Sequence, residues 1–222
     1  AVYAADLYGA ERRVAACVRR LVGTPLKVPD ALDGILDRIE SSLSIKYDRS
    51  QREAVRTALC NRLSVVTGGP GTGKTTVTRS VVEAYSVLYP KYPVYLASPT
   101  GRAAKRLSEV VGREAKTIHR LLEYHPEVGF RRDETNPLEA GLLVVDEVSM
   151  VDLALADSLL RAVPQGMQVV LVGDADQLPS VGPGSVLRDL IASGIVPVTR
   201  LQFVYRQAAG SEIHLWAHLV RE

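Results

Sequence analysis

The stretch GGPGTGKTT, residues 68–76, decides the fold. Four glycines and a proline within six residues suit neither helix nor strand, because glycine gives up the most backbone freedom in either and proline withdraws a donor. Its flanks suit both. NRLSVVTG (61–68) is a short apolar strand, and KTTVTRSVVEAYSVLY (74–89) has a helical period. From Gly68 the run matches G-x-x-x-x-G-K-[ST] in the strand-to-helix setting that pattern requires. Glycines there let backbone N–H groups converge on an anion, and the first helical turn adds its positive end. Gly69, Pro70, Gly71, Thr72, Gly73, Lys74, Thr75 and Thr76 are therefore candidate nucleotide-binding residues. Lys74 would reach the β- and γ-phosphates and the Thr75 hydroxyl would ligate Mg²⁺. A glycine-rich turn without a ligand is the competing reading, and the flanking elements argue against it.

Outward from the loop the alternation continues. PVYLAS (93–98), GLLVVDE (141–147), QVVLVGD (168–174) and VTRLQF (198–203) read as strands. GRAAKRLSEVV (101–111), VDLALADSLLRAV (151–163) and PGSVLRDLIASG (183–194) read as the helices between them. Near-continuous apolar strands alternating with helices predict an α/β fold, a parallel sheet with helices on both faces. RSQREAVRTAL (49–59) leads in as a helix. Before it, Leu7, Val14, Val18 and Leu21 mark an amphipathic helix over 3–22, and a shorter one follows over 30–42. The pattern changes at Tyr47, which separates an N-terminal helical segment (1–46) from the body (47–222). One stretch breaks the alternation: EYHPEVGFRRDETNPLE (123–139) is rich in turn formers, and EVGF with its basic neighbours predicts a small hairpin, with a disordered loop as the alternative.

Composition narrows the class. A chain of 222 residues, 46% hydrophobic, can bury a full core. Cys17 and Cys60 are too few for a disulfide framework and lack metal-ligand spacing, which fits a reducing cytoplasm. No apolar run approaches the roughly 20 residues of a membrane span. The net charge of +2 says little about partners, but its distribution says more. Between Arg102 and Arg132 eight basic residues face four acidic ones, a local excess larger than that of the whole chain. The segment is a candidate polyanion-facing surface, with a solvated helix face as the plain alternative.

A bound triphosphate needs its metal held and its water aligned. LLVVDE ends an apolar strand in two carboxylates at the sheet edge where such folds place ligands. Asp146 is the candidate metal ligand beside Thr75, and Glu147 the candidate base for water; an acidic cap on the following helix is the alternative. Gln177, after QVVLVGD, has the residue type that senses a γ-phosphate, although by spacing alone it is equally a polar loop residue.

The ordered runs GGPGTGKTT, SPTGRAAKRL (98–107), TIHRLL (117–122), VVDEVSMVD (144–152), LVGDADQLPSVGPGS (171–185) and TRLQFVYRQA (199–208) resemble the motif series of RecD-type superfamily-one DNA helicases of the 5′-to-3′ branch. The resemblance covers about residues 47–222, including YDRSQREAV (47–55), similar to the family's glutamine motif. It implies a RecA-like P-loop NTPase fold that uses ATP and Mg²⁺, with Gln51 reading the adenine edge. Lys74, Glu147, Gln177 and Arg206 would form the catalytic set, Gln177 and Arg206 touching the γ-phosphate. Pro99, Thr100, Arg102, Lys105, Thr117 and His119 would grip single-stranded DNA, in keeping with the local positive charge. The 123–139 hairpin would be the pin against which a duplex junction is split.

RecD-type motors carry two RecA-like lobes with ATP between them, so the resemblance implies that 47–222 is the first lobe of a larger, monomeric helicase, working alone or with nuclease and recombination partners. An ATP-gated nucleic-acid switch and a partner-docking module are the other readings. A kinase or GTPase is disfavoured by the later motifs and by the lack of a GTPase-like base-recognition motif.

Overall fold

A computed structural model describes residues 5–23, 26–27 and 30–202. Three helices come first: α1 (Ala5–Val22), α2 (Leu32–Leu43) and α3 (Arg49–Cys60). Then strand and helix alternate through β1 (Leu63–Thr67), α4 (Lys74–Leu88), β2 (Val94–Ser98), α5 (Gly101–Val111) and β3 (Ala115–Thr117). The one-turn helix α6 (Ile118–Leu121) and a two-stranded hairpin, β4 (Tyr124–His125) with β5 (Gly129–Phe130), precede β6 (Leu142–Val145). The described chain ends through α7 (Leu153–Arg161), β7 (Gln168–Gly173), α8 (Val186–Ala192) and β8 (Val198–Arg200).

Six of the strands form one parallel sheet in the order β3-β2-β6-β7-β1-β8. Every residue of β1, β6 and β7 is buried, as a sheet covered on both faces demands. Side chains alternate between two cores. On one face Leu63, Val65, Val145, Val169 and Leu171 meet α1 (Val14, Val18, Leu21), α7 (Leu159, Leu160) and α8 (Leu187, Leu190). On the other, Val66, Leu96, Val144, Val170 and Val172 meet α2 (Leu32, Ile35, Leu36), α3 (Val55, Leu59) and α4 (Val77, Val81). The two N-terminal helices thus complete opposite faces of the same sheet. The Arg13 guanidinium also grips the buried Asp157 carboxylate of α7 at 2.6 to 3.0 Å, and Arg20 donates to the Val163 carbonyl at 2.9 Å.

Three readings of the sequence change in detail. β3 was not anticipated: Ala-Lys-Thr has no apolar run, and it is a strand because Leu96–Ser98 of β2 offer it a ladder. The helix read over 183–194 contracts to Val186–Ala192, because the Pro183 carbonyl is engaged by the Leu153 N–H in an irregular loop. The last strand covers Val198–Arg200, and Phe203 lies outside the described residues. Among the described residues no helix is long and apolar enough to cross a membrane.

Candidate functional site

The site lies at the C-terminal ends of β1, β7 and β6, three neighbours in the sheet. β1 leads into the glycine loop, and there Gly71 and Gly73 adopt φ of +81° and +89°, the left-handed region that disfavours other residues. The turn places Lys74 at the first position of α4, with Gly73 as its cap. The Lys74 ammonium is folded back onto its own loop, donating to the Gly68 carbonyl at 2.6 Å and to Gly69 at 3.0 Å. Thr72 donates to the Gly69 carbonyl at 2.9 Å, which closes the turn.

Beneath the loop, Asp48 and Gln51 form a reciprocal capping box on α3, with the Gln51 N–H donating to Asp48 Oδ1 at 2.9 Å and the Asp48 N–H to Gln51 Oε1 at 3.2 Å. Gln51 Nε2 donates to the Thr72 carbonyl at 3.4 Å. Gln51 is only 4% exposed, so its amide supports the phosphate loop from below, with both ends engaged inside the protein. Contact with an adenine edge requires those bonds to exchange.

Asp146 follows the last residue of β6, anchored by its N–H to the Ala97 carbonyl at 2.9 Å. Burial pushes its carboxyl up from the ordinary range; the Glu147 N–H, donating to Oδ1 at 2.9 Å, and the charges of Lys74 and Arg106 pull the other way. Glu147 itself sits at φ +57°, a left-handed conformation that costs a non-glycine residue on the order of 1 kcal/mol or more, and it opens the single 3₁₀ turn Val148–Met150. From β7, Asp174 is buried, and the turn after it carries the exposed Gln177, whose Oε1 accepts from Ser149 Oγ at 3.4 Å.

These elements enclose a cleft of about 620 Å³, within the usual range for small-molecule sites. Pro70, Gly71, Gly73, Lys74, Thr75, Thr76, Asp146, Glu147 and Gln177 all line it. So do Thr100, Arg102, Ala103, Arg106 and Leu107 of α5 and its cap. Thr100 and Arg102, which the resemblance implies on the DNA side, therefore both face this cleft. Arg106, which sequence reasoning did not single out, faces it too. Among the oxygen groups of this lining, the Thr75 hydroxyl and the Asp146 carboxylate are the candidate donors to a cation, with the Glu147 carboxylate in the same cleft. Such oxygen ligands suit Mg²⁺, which binds few protein groups and completes its shell with phosphate and water. Among the described residues no cluster of three or more His, Cys, Asp or Glu could hold a metal without such help.

Thr100 caps α5, its hydroxyl accepting from the Ala103 N–H at 3.3 Å, and Thr117 caps α6, accepting from Arg120 at 3.2 Å. Pro99 links β2 to the first cap, and Lys105 is exposed on α5. His119 packs edge-on against Tyr124 and tilted against Phe130, with ring centroids 5.5 Å apart in both pairs, so it ties α6 to the root of the hairpin. Arg206 lies outside the described residues.

Comparison with known proteins places these observations among relatives. Residues 51–183 match a family described as "AAA domain". Over 218 residues the chain is 44% identical to the ATP-dependent RecD2 DNA helicase of Deinococcus radiodurans, covering 98% of this chain and 29% of that protein. It is also 44% identical over 162 residues to the RecBCD enzyme subunit RecD of Mycobacterium tuberculosis, covering 64% of this chain and 28% of that one. The chain thus spans less than a third of these relatives. Among solved structures, the Pif1 helicase from Candida albicans shares the fold, with a TM-score of 0.60 at 24% identity over 80% of this chain and 44% of its own.

Proposed function

The chain belongs to the AAA domain family and is a homologue of RecD-type DNA helicases, and we propose that it is the ATP-binding first motor lobe of such a helicase. In the whole protein, hydrolysis of MgATP would drive 5′-to-3′ movement on single-stranded DNA and unwinding at duplex junctions, in the cytoplasm, in repair or recombination. The observation that carries this reading is the convergence of Lys74, Thr75, Asp146, Glu147 and Gln177 on one cleft from the ends of three adjacent strands.

The chain's own groups suit the chemistry. Backbone N–H groups of the loop and the N-terminus of α4 hold the phosphates. The Lys74 ammonium exchanges two carbonyl partners for phosphate oxygens. Glu147 orients the attacking water and takes its proton, and Gln177 donates to the γ-phosphate. Mg²⁺, held through Thr75 and Asp146, would neutralise charge on the phosphate oxygens. Arg206 and a second lobe would complete the pocket. Thr117, His119 and Lys105, with the hairpin as the pin, would hold and split DNA.

The test is steady-state ATP hydrolysis with and without single-stranded DNA, on wild type and Lys74→Ala. We expect DNA to stimulate the wild type and the variant to lose about 100-fold or more. Hydrolysis that ignores both DNA and Lys74 would refute the motor reading. A second reading, docking into a nuclease complex, is favoured by the relative named as a subunit of the RecBCD enzyme; there Lys74→Ala would leave assembly intact.

A further inference from the structure

We propose that Arg188 is a positioning residue for Gln177, locking the turn that presents the γ-phosphate sensor; the proposal rests on the ATPase reading above. The turn leaves β7 at Gly173 and must aim one amide at the cleft. Its N–H groups are already spent: Ala175 donates to Thr67 Oγ1 at 3.2 Å, Asp176 to Asp174 Oδ1 at 3.0 Å, and Gln177 to the Asp174 carbonyl at 3.2 Å. These bonds tie the turn to itself and to β1, the strand that carries the phosphate loop. Of the carbonyls beyond Asp174, Arg188 of α8 takes two, Nε donating to Ala175 at 2.8 Å and a terminal nitrogen to Gln177 at 2.9 Å. A planar guanidinium holds two acceptors in fixed relation, which a lysine ammonium on a flexible stem does not.

The side chain of Gln177 is oriented from the other direction. Ser149, two residues after Glu147, donates to Gln177 Oε1. A phosphate can only accept hydrogen bonds, so an amide that serves it must present its NH₂ group. Engaging the amide oxygen at Ser149 leaves that NH₂ free for the anion. Backbone held by Arg188 and amide oriented by Ser149 together make Gln177 preorganised, the condition under which a donor lowers a barrier without spending energy on reorganisation. Arg188 touches neither nucleotide nor water in this scheme. It acts through the turn.

The experiment measures kcat and KM for ATP in the intact protein, with single-stranded DNA present, for wild type, R188A, R188K, Q177A and the double variant R188A/Q177A, beside the Lys74→Ala control. We expect R188A to lower kcat about tenfold with KM within about twofold, because the phosphate cradle is untouched. R188K should recover part of the loss. On the Q177A background, removal of Arg188 should cost less than about twofold further, since both variants disable one device. Equal losses on both backgrounds, a change confined to KM, or full activity in R188A or Q177A would overturn the proposal. Should R188A fail a thermal-melt check, R188K alone decides: a partial loss confined to kcat supports the proposal and an unchanged kcat overturns it. Wild-type activity no higher than that of Lys74→Ala overturns the ATPase reading and this proposal together, whereas an active wild type, an impaired Q177A and a normal R188A overturn this proposal only.

Discussion

At Asp146 the needs of the fold and of the chemistry diverge. Burial raises its carboxyl pKa, so the folded state holds that proton more tightly than the unfolded chain does. The resulting stabilisation is fully present below the unfolded pKa and is lost as pH rises through the folded one. Above that range the charged carboxylate is therefore a cost to the folded protein. Asp146→Asn should raise the melting temperature by a few degrees while cutting ATP hydrolysis by about 100-fold or more, checked by thermal denaturation and steady-state assay on the same preparation. The same shift has a second consequence. An Mg²⁺ ion held at Asp146, as proposed, would have to displace that proton, so its affinity should begin to fall on acidification at a higher pH than an ordinary aspartate would give, as a Mg²⁺ titration of nucleotide binding at several pH values would read. That Lys74, Thr75, Asp146 and Glu147 share one cleft was legible in the sequence because each follows a strand end at the spacing the proposed chemistry requires. Gln51 was legible as a position only: that its amide is engaged by Asp48 and Thr72 depends on how α3 lies under the loop.

Helix α5 carries a lesson about rotation. Its arginines fall in the basic stretch that the sequence marks as facing a polyanion, and charge alone does not say which polyanion. The helix turns Arg102, Ala103, Arg106 and Leu107 toward the cleft, the i, i+3/i+4 spacing of one face. Arg106→Ala should raise KM for ATP by about three- to tenfold while changing affinity for single-stranded DNA by less than about twofold, measured by hydrolysis kinetics and by fluorescence anisotropy of a labelled oligonucleotide. Loss of DNA affinity with KM unchanged would instead assign Arg106 to the DNA side. Helix α7 shows how tightly the loop beyond Gln177 is fitted. Asp152 caps α7 by accepting from the Leu155 N–H at 2.8 Å, and a Cβ at Gly182 would overlap the Asp152 carboxylate. Gly182→Ala should displace that cap and cost about 1–2 kcal/mol, seen as a lower midpoint in urea denaturation. The small strand β3 escaped sequence reading for a related reason. Three residues with no apolar pattern become a strand only when a neighbouring edge is offered.

Across the whole molecule, the alternation of elements was readable because strands buried on both faces form continuous apolar runs. Their lateral order was not, since it is set by pairings between residues far apart in sequence that leave no local signature. The placement of α1 is a case in point. Its apolar spacing announces a buried face, but not that the face is shared with α7, some 140 residues later. Arg13 is half exposed whereas Asp157 is 8% exposed, so Arg13→Ala would leave a buried carboxylate poorly compensated. With the exposed partner still solvated, we expect a loss of about 1–2 kcal/mol in chemical denaturation, with KM for ATP unchanged because neither residue lines the cleft.

The order of the sheet also has a consequence for biosynthesis. β1, which delivers the phosphate loop, pairs with β7 and β8 and with no earlier strand, residue 63 lying beside residue 169. On a ribosome the loop emerges well ahead of its strand's partners, and β1 finds no neighbour in the sheet until about a hundred more residues have followed. Non-local pairing of this kind slows closure of a fold and leaves apolar strands uncovered meanwhile. A nascent chain arrested before β7 should therefore remain open to protease at 63–67 and bind no nucleotide, and protection and nucleotide binding should appear together once residues 168–200 have cleared the exit tunnel. The glycine loop is thus made about a hundred residues before the strand that holds its own strand in place.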